Sequence, residues 1–525
     1  MYKRHKLLSL DSPGFLHLES CAIKDGGTQE SQHYASTFSR LKKLGIRHPP
    51  PLPFLGNLLF FRNGYWDAHS KLINEYGPAC GYYIGHRMYM LISDPDMIKQ
   101  ILVDNFESFS NRMNPGLSSK PILNSLVGLR DERWKNVRSQ LTPSFGPAKI
   151  KEMTPLIHQA CDTLLSNLKV YANSGTDFDI ERNYACFSLD IAASVAFGTY
   201  VDSQKNPNEA IVKNMIRVFE PPISKPVLLL IVSFPYIMLP LLKILPNKKE
   251  DEVNGFLIKA VKKMIALRNQ QKPSERRRDF LQLVLDAQSS ADEIGMAHFD
   301  IIGQSETVSG KALPKEHKKL SDDEIVGLTY LFLIAGYEPT KNTLTFATYL
   351  LATNPECQEK LLHEVDRFFE KHDVPNYQNT CELPYMDMVI AETLRLYPSV
   401  FRYTREASKD CTILGQRIPA GLIVEVAVRH LHYNPTLWPE PEKFIPERFT
   451  AKAKQQRHAF SYIPFGAGPR SCIGLKLALM ELKITLLRVF QKFKFETSTK
   501  TRIPVLKSEG IIRIQNGIYI KAVSR

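Results

Sequence analysis

The stretch Phe465-Gly-Ala-Gly-Pro-Arg-Ser-Cys-Ile-Gly474 decides the reading of this chain. Three glycines and a proline around one cysteine describe a tight loop that lets backbone approach a neighbouring group closely. An apolar periodic stretch, LKLALMELKITLLRVF (475–490), follows at once, so Cys472 is expected at the start of a helix. Unpaired N–H groups and the positive end of the helix dipole there favour a thiolate. With Arg470 two residues away, the spacing F-x-x-G-x-R-x-C-x-G describes a ligand for a soft metal or for haem iron rather than an inert buried thiol.

Around that loop lies a long chain with ample core. The 525 residues are 43% hydrophobic and 10% aromatic, which excludes disordered and fibrous classes. Eight cysteines are scattered with no C-x-x-C pair, against a disulfide scaffold or a zinc ribbon. The net charge is +14, and it is concentrated: residues 451–525 hold 15 Lys+Arg against 3 Asp+Glu. Neither a basic helix nor interleaved aromatic residues accompany this charge, so nucleic acid is not expected as a partner. No G-x-G-x-x-G follows a strand and no P-loop motif occurs.

Helical signals dominate. The strongest begins at Ser321, where S-D-D-E supplies an N-cap hydroxyl and acidic first-turn residues, and it runs to Asn354-Pro355. So long and apolar a helix must pass through the middle of one large domain. YYIGHRMYMLI (82–92), CTILGQRIP (411–419) and GIYIKAV (517–523) alternate as strands of small sheets. RHPPPLPFLGN (47–57) reads as a stiff extended lead-in, while 288–319 and 371–381 read as connectors. No run of eighteen apolar residues occurs. PVLLLIVSFPYIMLPLLKILP (226–246) is broken by Pro235, Pro240 and Lys243, and reads as two short segments dipping their apolar faces into one leaflet.

The cysteine loop resembles the haem-binding signature of the cytochrome P-450 superfamily, with Phe465, Gly468, Arg470, Cys472 and Gly474 each at a motif position. Glu392-Thr-Leu-Arg395 and Pro446-Glu-Arg-Phe449 match two further motifs. In isolation, Glu392 and Arg395 at i,i+3 make an ordinary surface ion pair worth ~0.3 kcal/mol. The resemblance instead implies a buried structural charge network of Glu392, Arg395 and Arg448. It also implies a mainly α fold with small β-sheets and a long central helix. Residues 49–525 would form a single catalytic domain, behind an atypical N-terminal segment (1–48) lacking the family's apolar anchor. Haem b (iron protoporphyrin IX) is the implied cofactor and Cys472 its iron ligand and catalytic centre. Trp134 and Arg138 (W-x-x-x-R), Arg112 (FSNR), Arg405 (YTRE), Phe465 and Arg470 are the implied cofactor-binding residues. Guanidinium suits the two propionates because it pairs bidentately with carboxylate and stays charged when buried.

The central helix departs from the superfamily's monooxygenases. Ala335-Gly336-Tyr-Glu338-Pro339-Thr340 keeps the acid position, but Pro339 stands where those enzymes carry an alcohol. Proline has neither hydroxyl nor backbone donor, and its ring is expected to kink the helix. Thr340 comes one residue late, about 100° further round. FSRLKKLGIRHP, LLATNPECQEKLLHEVD, DMVIAETLRLYP and GIYIKAVSR are similar to the thromboxane-forming branch of the superfamily. That likeness implies isomerisation of prostaglandin H2 to thromboxane A2, with a fragmentation branch to hydroxy-heptadecatrienoic acid and malondialdehyde. No reductase would be needed for isomerisation. It further implies a monomer on the endoplasmic reticulum membrane, its catalytic domain facing the cytosol. Substrate contacts would fall near Gly116–Val127, on Leu331–Thr343, after Pro398 and near Gly510–Ile512. The alternative is an NADPH- and reductase-dependent monooxygenase of lipids or xenobiotics.

Overall fold

The computed structural model describes residues 38–525, apart from 115–119, 200, 221–224, 245–247, 273–275, 277–278, 290–299, 302–303, 306–318 and 509. Residues 1–37 and most of the expected connector at 288–319 therefore lie outside the described residues.

In chain order, the elements that shape the site are strands β1 (Ala79–Ile84) and β2 (Arg87–Ile92), helices α1 (Asp131–Leu141) and α2 (Pro147–Ser174), and the short strand β3 (Phe178–Asp179). Helices α3 (Ile180–Phe197), α4 (Ala210–Val218), α5 (Lys225–Ser233), α6 (Pro235–Ile244), the central α7 (Asp322–Thr353) and α8 (Pro384–Leu396) follow. The chain closes with β4 (Tyr403–Glu406), β5 (Ile423–Val426), α9 (Leu475–Lys492), β6 (Phe493–Glu496), β7 (Leu506–Ser508), β8 (Ile512–Ile514) and β9 (Tyr519–Ser524).

Helix α7 starts where the sequence says it should. The Ser321 hydroxyl accepts from the Glu324 amide, and the Glu324 carboxylate accepts from the Ser321 amide at 2.8 Å, a closed capping box. The helix continues for 32 residues, is buried over most of its length and runs through Pro339 without ending. Small residues let it approach α3 closely: Ala192, Ala193 and Ala196 of α3 lie in one apolar cluster with Val326, Tyr330 and Leu333 of α7. A methyl group at Gly336 would meet the Ala192 side chain at 3.5 Å, ordinary contact. A second cluster gathers α2, the C-terminal half of α7, α8 and α9 around residues such as Leu164, Phe346, Ile390 and Leu486.

The sheets are small, as the alternating segments indicated. One has strand order β1-β2-β5-β4, with β2 and β5 parallel and the other pairs antiparallel. Another has order β6-β9-β3, and β7 pairs with β8 as a hairpin. Within the 226–246 segment, the described residues form two helices, α5 and α6, on either side of Phe234. Among the described residues no helix is long and apolar enough to cross a membrane. The seven described cysteines are all free thiols.

Candidate active site

The cysteine loop is drawn tight by its own backbone. The Cys472 amide donates to the Phe465 carbonyl at 2.9 Å and the Ser471 amide to Gly468 at 2.9 Å. Gly466 and Gly468 take φ of 76° and 69°, the left-handed region that side chains resist. At Gly468 a Cβ would sit 2.0 Å from the Leu102 carbonyl oxygen, so no other residue fits. Helix α9 begins three residues after the cysteine, with Gly474 at its cap.

Cys472 is solvent-accessible, yet protein surrounds it closely enough to desolvate a thiolate, so its sulfur faces an interior cleft rather than the outer surface. Burial pushes the Cys472 thiol up, and the Gly474 amide, Arg138 and Arg112 only partly offset it. The helix start and the two guanidiniums thus act against burial, and a bound cation would add to that stabilisation. Ala335, midway along the mostly buried α7, is likewise exposed, and Pro339 is half-buried one turn on. These two lie 40° apart on one helical face at about 100° per residue.

Four buried or half-buried guanidiniums cluster at the loop: Arg138 and Arg112 act on Cys472 directly, and Arg405 and Arg470 lie beside them. Burial, then the neighbouring Arg112, pushes Arg405 down to about 9. Burial pushes Arg138 down to about 10 despite Cys472, and burial also lowers Arg112. Arg470 falls to about 8 through burial and then the repulsion of Arg112, Arg405 and Arg138. The Nε atoms of Arg112, Arg138 and Arg405 are buried with no hydrogen-bond partner, and no carboxylate pairs with these four among the described residues. Guanidinium does not give up its proton in proteins, so such a ring of cations is stable only against anions. A thiol beside orphaned cations in an interior cleft fits a haem, with its metal on Cys472 and its two propionates among the arginines.

Arg470 and Trp134 have a more defined task than the sequence suggested. Arg470 donates to the carbonyls of Ser110 (2.9 Å), Leu126 (3.1 Å) and Leu129 (2.9 Å), and its guanidinium lies 3.9 Å from the centre of the Trp134 ring. It thereby ties the cysteine loop to the segment before α1. Arg138, on the same helix as Trp134, donates to the Ser471 carbonyl at 3.1 Å. Phe465, half-buried, packs against the large helical cluster.

Beneath the loop, Glu392 and Arg395 are fully buried and joined by two contacts of 2.6 and 2.8 Å. Arg448 Nε lies 3.3 Å from the same carboxylate, and the Ile445 amide adds a bond at 3.0 Å. Arg395 also donates to the carbonyls of His432 and Pro441, both at 2.8 Å. Sequence reasoning missed His432. Burial, then Arg395, pushes it down to about 3, so its ring is neutral and Nε2 accepts from the Ile463 amide at 3.1 Å, two residues before the loop. Tyr403 was also missed: its hydroxyl donates to the Pro464 carbonyl at 2.7 Å. Neither carries a spacing signal; each is recognisable only once the loop is folded against it.

On α7 the acid is already engaged. Glu338 is 2.8 Å from Lys341, which is also 3.0 Å from Glu181 of α3. Thr340 points elsewhere, its hydroxyl 3.5 Å from the buried Glu481 of α9. The stretches expected to touch substrate lie partly outside the described residues, at 116–119.

Residues 46–522 match the family model for Cytochrome P450. Thromboxane-A synthase of Macaca fascicularis is 56% identical over 500 residues, covering 93% of this chain and 94% of its own length. Thromboxane-A synthase of Mus musculus is 54% identical over 502 residues with the same coverage. Cytochrome P450 3A7 of Homo sapiens is 38% identical over 495 residues, covering 93% of each.

Proposed function

The chain belongs to the cytochrome P450 family, and from that premise we infer that it is a haem-thiolate isomerase converting prostaglandin H2 to thromboxane A2, with Cys472 as the iron ligand. The observation that carries the reading is the state of α7 at Glu338-Pro339. A dioxygen-activating site must deliver protons, and this helix offers a proline where an alcohol is needed and a carboxylate already bound to Lys341. An endoperoxide needs no such delivery, because its O–O bond already holds both oxidising equivalents. The relatives at 54–56% identity, whose name is Thromboxane-A synthase, support the same reaction.

Haem held by a thiolate supplies an electron-rich iron suited to O–O cleavage. Arg112, Arg138 and Arg405 would hold its propionates, and the Gly466–Gly468 bend sets the sulfur at the cleft wall. Ala335 and Pro339 present a face without donors, which keeps water and protons from the reacting centre. The protein's contribution is then orientation in a dry cleft. No atom enters or leaves during isomerisation, so neither NADPH nor a reductase takes part.

The exposed apolar surface suits a membrane-resident, lipid-derived substrate. Tyr236 is 92% and Ile237 67% exposed on α6, and Phe234 beside them meets the exposed Phe54 at 5.7 Å between ring centres. This face would dip into one leaflet of the endoplasmic reticulum membrane, with the cysteine loop on the cytosolic side.

The deciding experiment gives prostaglandin H2 to purified ferric holoprotein with no electron donor. Thromboxane A2, trapped as its hydration product, together with hydroxy-heptadecatrienoic acid and malondialdehyde, is the expected outcome. Turnover only with NADPH and a reductase, on lipid or xenobiotic substrates, would establish a monooxygenase instead.

A further inference from the structure

A second cleft, of about 520 Å³, opens where α3, α4, α7 and the β7–β8 hairpin meet. Neither Cys472 nor any arginine around it lines this space. Tyr337 and Lys341 of α7 form part of its wall, and at about 100° per residue they point nearly opposite to Ala335 and Pro339.

Its acids are spoken for. Asp179 accepts from the amides of Glu181 and Ile518, both at 3.0 Å, and caps α3. Glu181 and Glu338 share Lys341. Its remaining cations are not neutralised in the same way. Lys213, Lys507 and Arg513 have no ion pair among the described residues, and Arg182 reaches only Asn208 at 3.5 Å while exerting a longer-range pull on Asp179. Lys507 and Arg513 are moreover direct cross-strand partners, two like charges facing each other on one side of a hairpin. That juxtaposition destabilises a hairpin unless an anion sits between the charges. In the same cleft, Val212, Ile216 and Phe219 supply apolar lining, with Ile216 half exposed.

We propose that this cleft is a second binding site, for an amphiphile carrying one carboxylate, of the long-chain fatty acid class. Lys507 and Arg513 take the carboxylate and the Val212–Ile216–Phe219 side takes the chain. The volume is within the range of small-molecule pockets, and paired cations in one cleft with an apolar wall select an amphiphilic anion over a neutral lipid or an inorganic ion. The site stands independently of the reaction at Cys472, and its occupancy is read without turnover.

The test is equilibrium dialysis of radiolabelled stearate with the full-length holoprotein, alongside the haem optical spectrum. The expected result is one equivalent of stearate that leaves the haem spectrum unchanged, separable from any stearate that perturbs it. Lys507→Ser with Arg513→Ser should weaken this silent equivalent about tenfold or more and leave the spectrally active binding as it was. Ile216→Asp, on a different element, should weaken it as well. The stearate methyl ester should fail to compete, and so should inorganic phosphate. Absence of a silent equivalent, indifference to all three substitutions, or equal competition by the ester or by phosphate would each overturn the proposal.

Discussion

Lys341 bridges Glu338, three residues back on its own helix, and Glu181 on α3, at 2.8 and 3.0 Å. Burial alone would strip the ammonium of its proton, but Glu338, then Glu181, outweigh that and hold it charged. The pair fixes the acid of the central helix in a structural role. Replacing Lys341 by Met strands a carboxylate at a buried position, which costs about 3–5 kcal/mol. The expected outcome is a large drop in the denaturant midpoint while residual folded protein still isomerises prostaglandin H2. Loss of activity at unchanged stability would show that Glu338 serves the reaction directly.

No carboxylate pairs with the four guanidiniums around the cysteine loop among the described residues, so haem and stability should respond in opposite directions. Arg405→Leu removes a buried charge whose nearest charged neighbours repel it. The haem-free protein should become more stable, while haem retention on dilution through a desalting column falls roughly tenfold for the loss of one charge-assisted contact. Cys472→Ala should abolish the red-shifted ferrous–carbonyl band that marks thiolate ligation. A variant keeping that band would remove Cys472 from the role of ligand.

Much of this site was legible before folding, because it is local. The F-x-x-G-x-R-x-C-x-G spacing located Cys472, and the S-D-D-E cap located the start of α7 to within a residue. Glu392 and Arg395 were recognised as a pair but not as buried by spacing alone, since i,i+3 charges look the same on any helix. What stayed hidden was non-local: His432 under Ile463, Tyr403 under Pro464, and Glu481 beside Thr340 are joined only by the tertiary fold. The thiol's raised proton affinity was also unreadable, because desolvation depends on every element that closes over the sulfur.

Glu481 predicts a pH dependence. Burial, little offset by Thr340, pushes its carboxyl up to about 8 from an ordinary 4.5. Between those two values the unfolded chain releases this proton and the folded chain retains it, so the group's contribution to stability falls as pH rises through the window and levels off above about 8. Glu481→Gln keeps an oxygen that accepts from the Thr340 hydroxyl and removes the titration. The variant should lose this component of the pH slope and gain up to ~3 kcal/mol at pH 7. Denaturant midpoints at acidic and neutral pH read both effects; an unchanged slope would mean that the acid ionises in place.

If the apolar surface of α5 and α6 carries membrane attachment, as proposed, attachment and catalysis are separable. Tyr236→Asp with Ile237→Asp puts two charges on the most exposed apolar positions of this face. In flotation with phospholipid vesicles the variant should shift toward the soluble fraction, with isomerase activity in detergent retained. Unchanged flotation would move the attachment elsewhere.

Pro339 separates the two chemistries most directly. It removes the donor that would otherwise bond the carbonyl of Ala335, which is exposed on this mostly buried helix. Pro339→Thr restores the backbone bond and adds a hydroxyl on the same face, while Glu338 stays held by Lys341. A relay needs both partners free, so the hydroxyl alone should not bring NADPH-dependent oxidation above background when a reductase is supplied. Isomerisation should persist within a few-fold, because orientation over the sulfur does not depend on a donor at this position. Near-total loss of isomerisation at normal haem content would instead show that the proline's local effect on α7 shapes the cleft itself. A gain of oxidation would show that the Lys341 bridge opens during turnover.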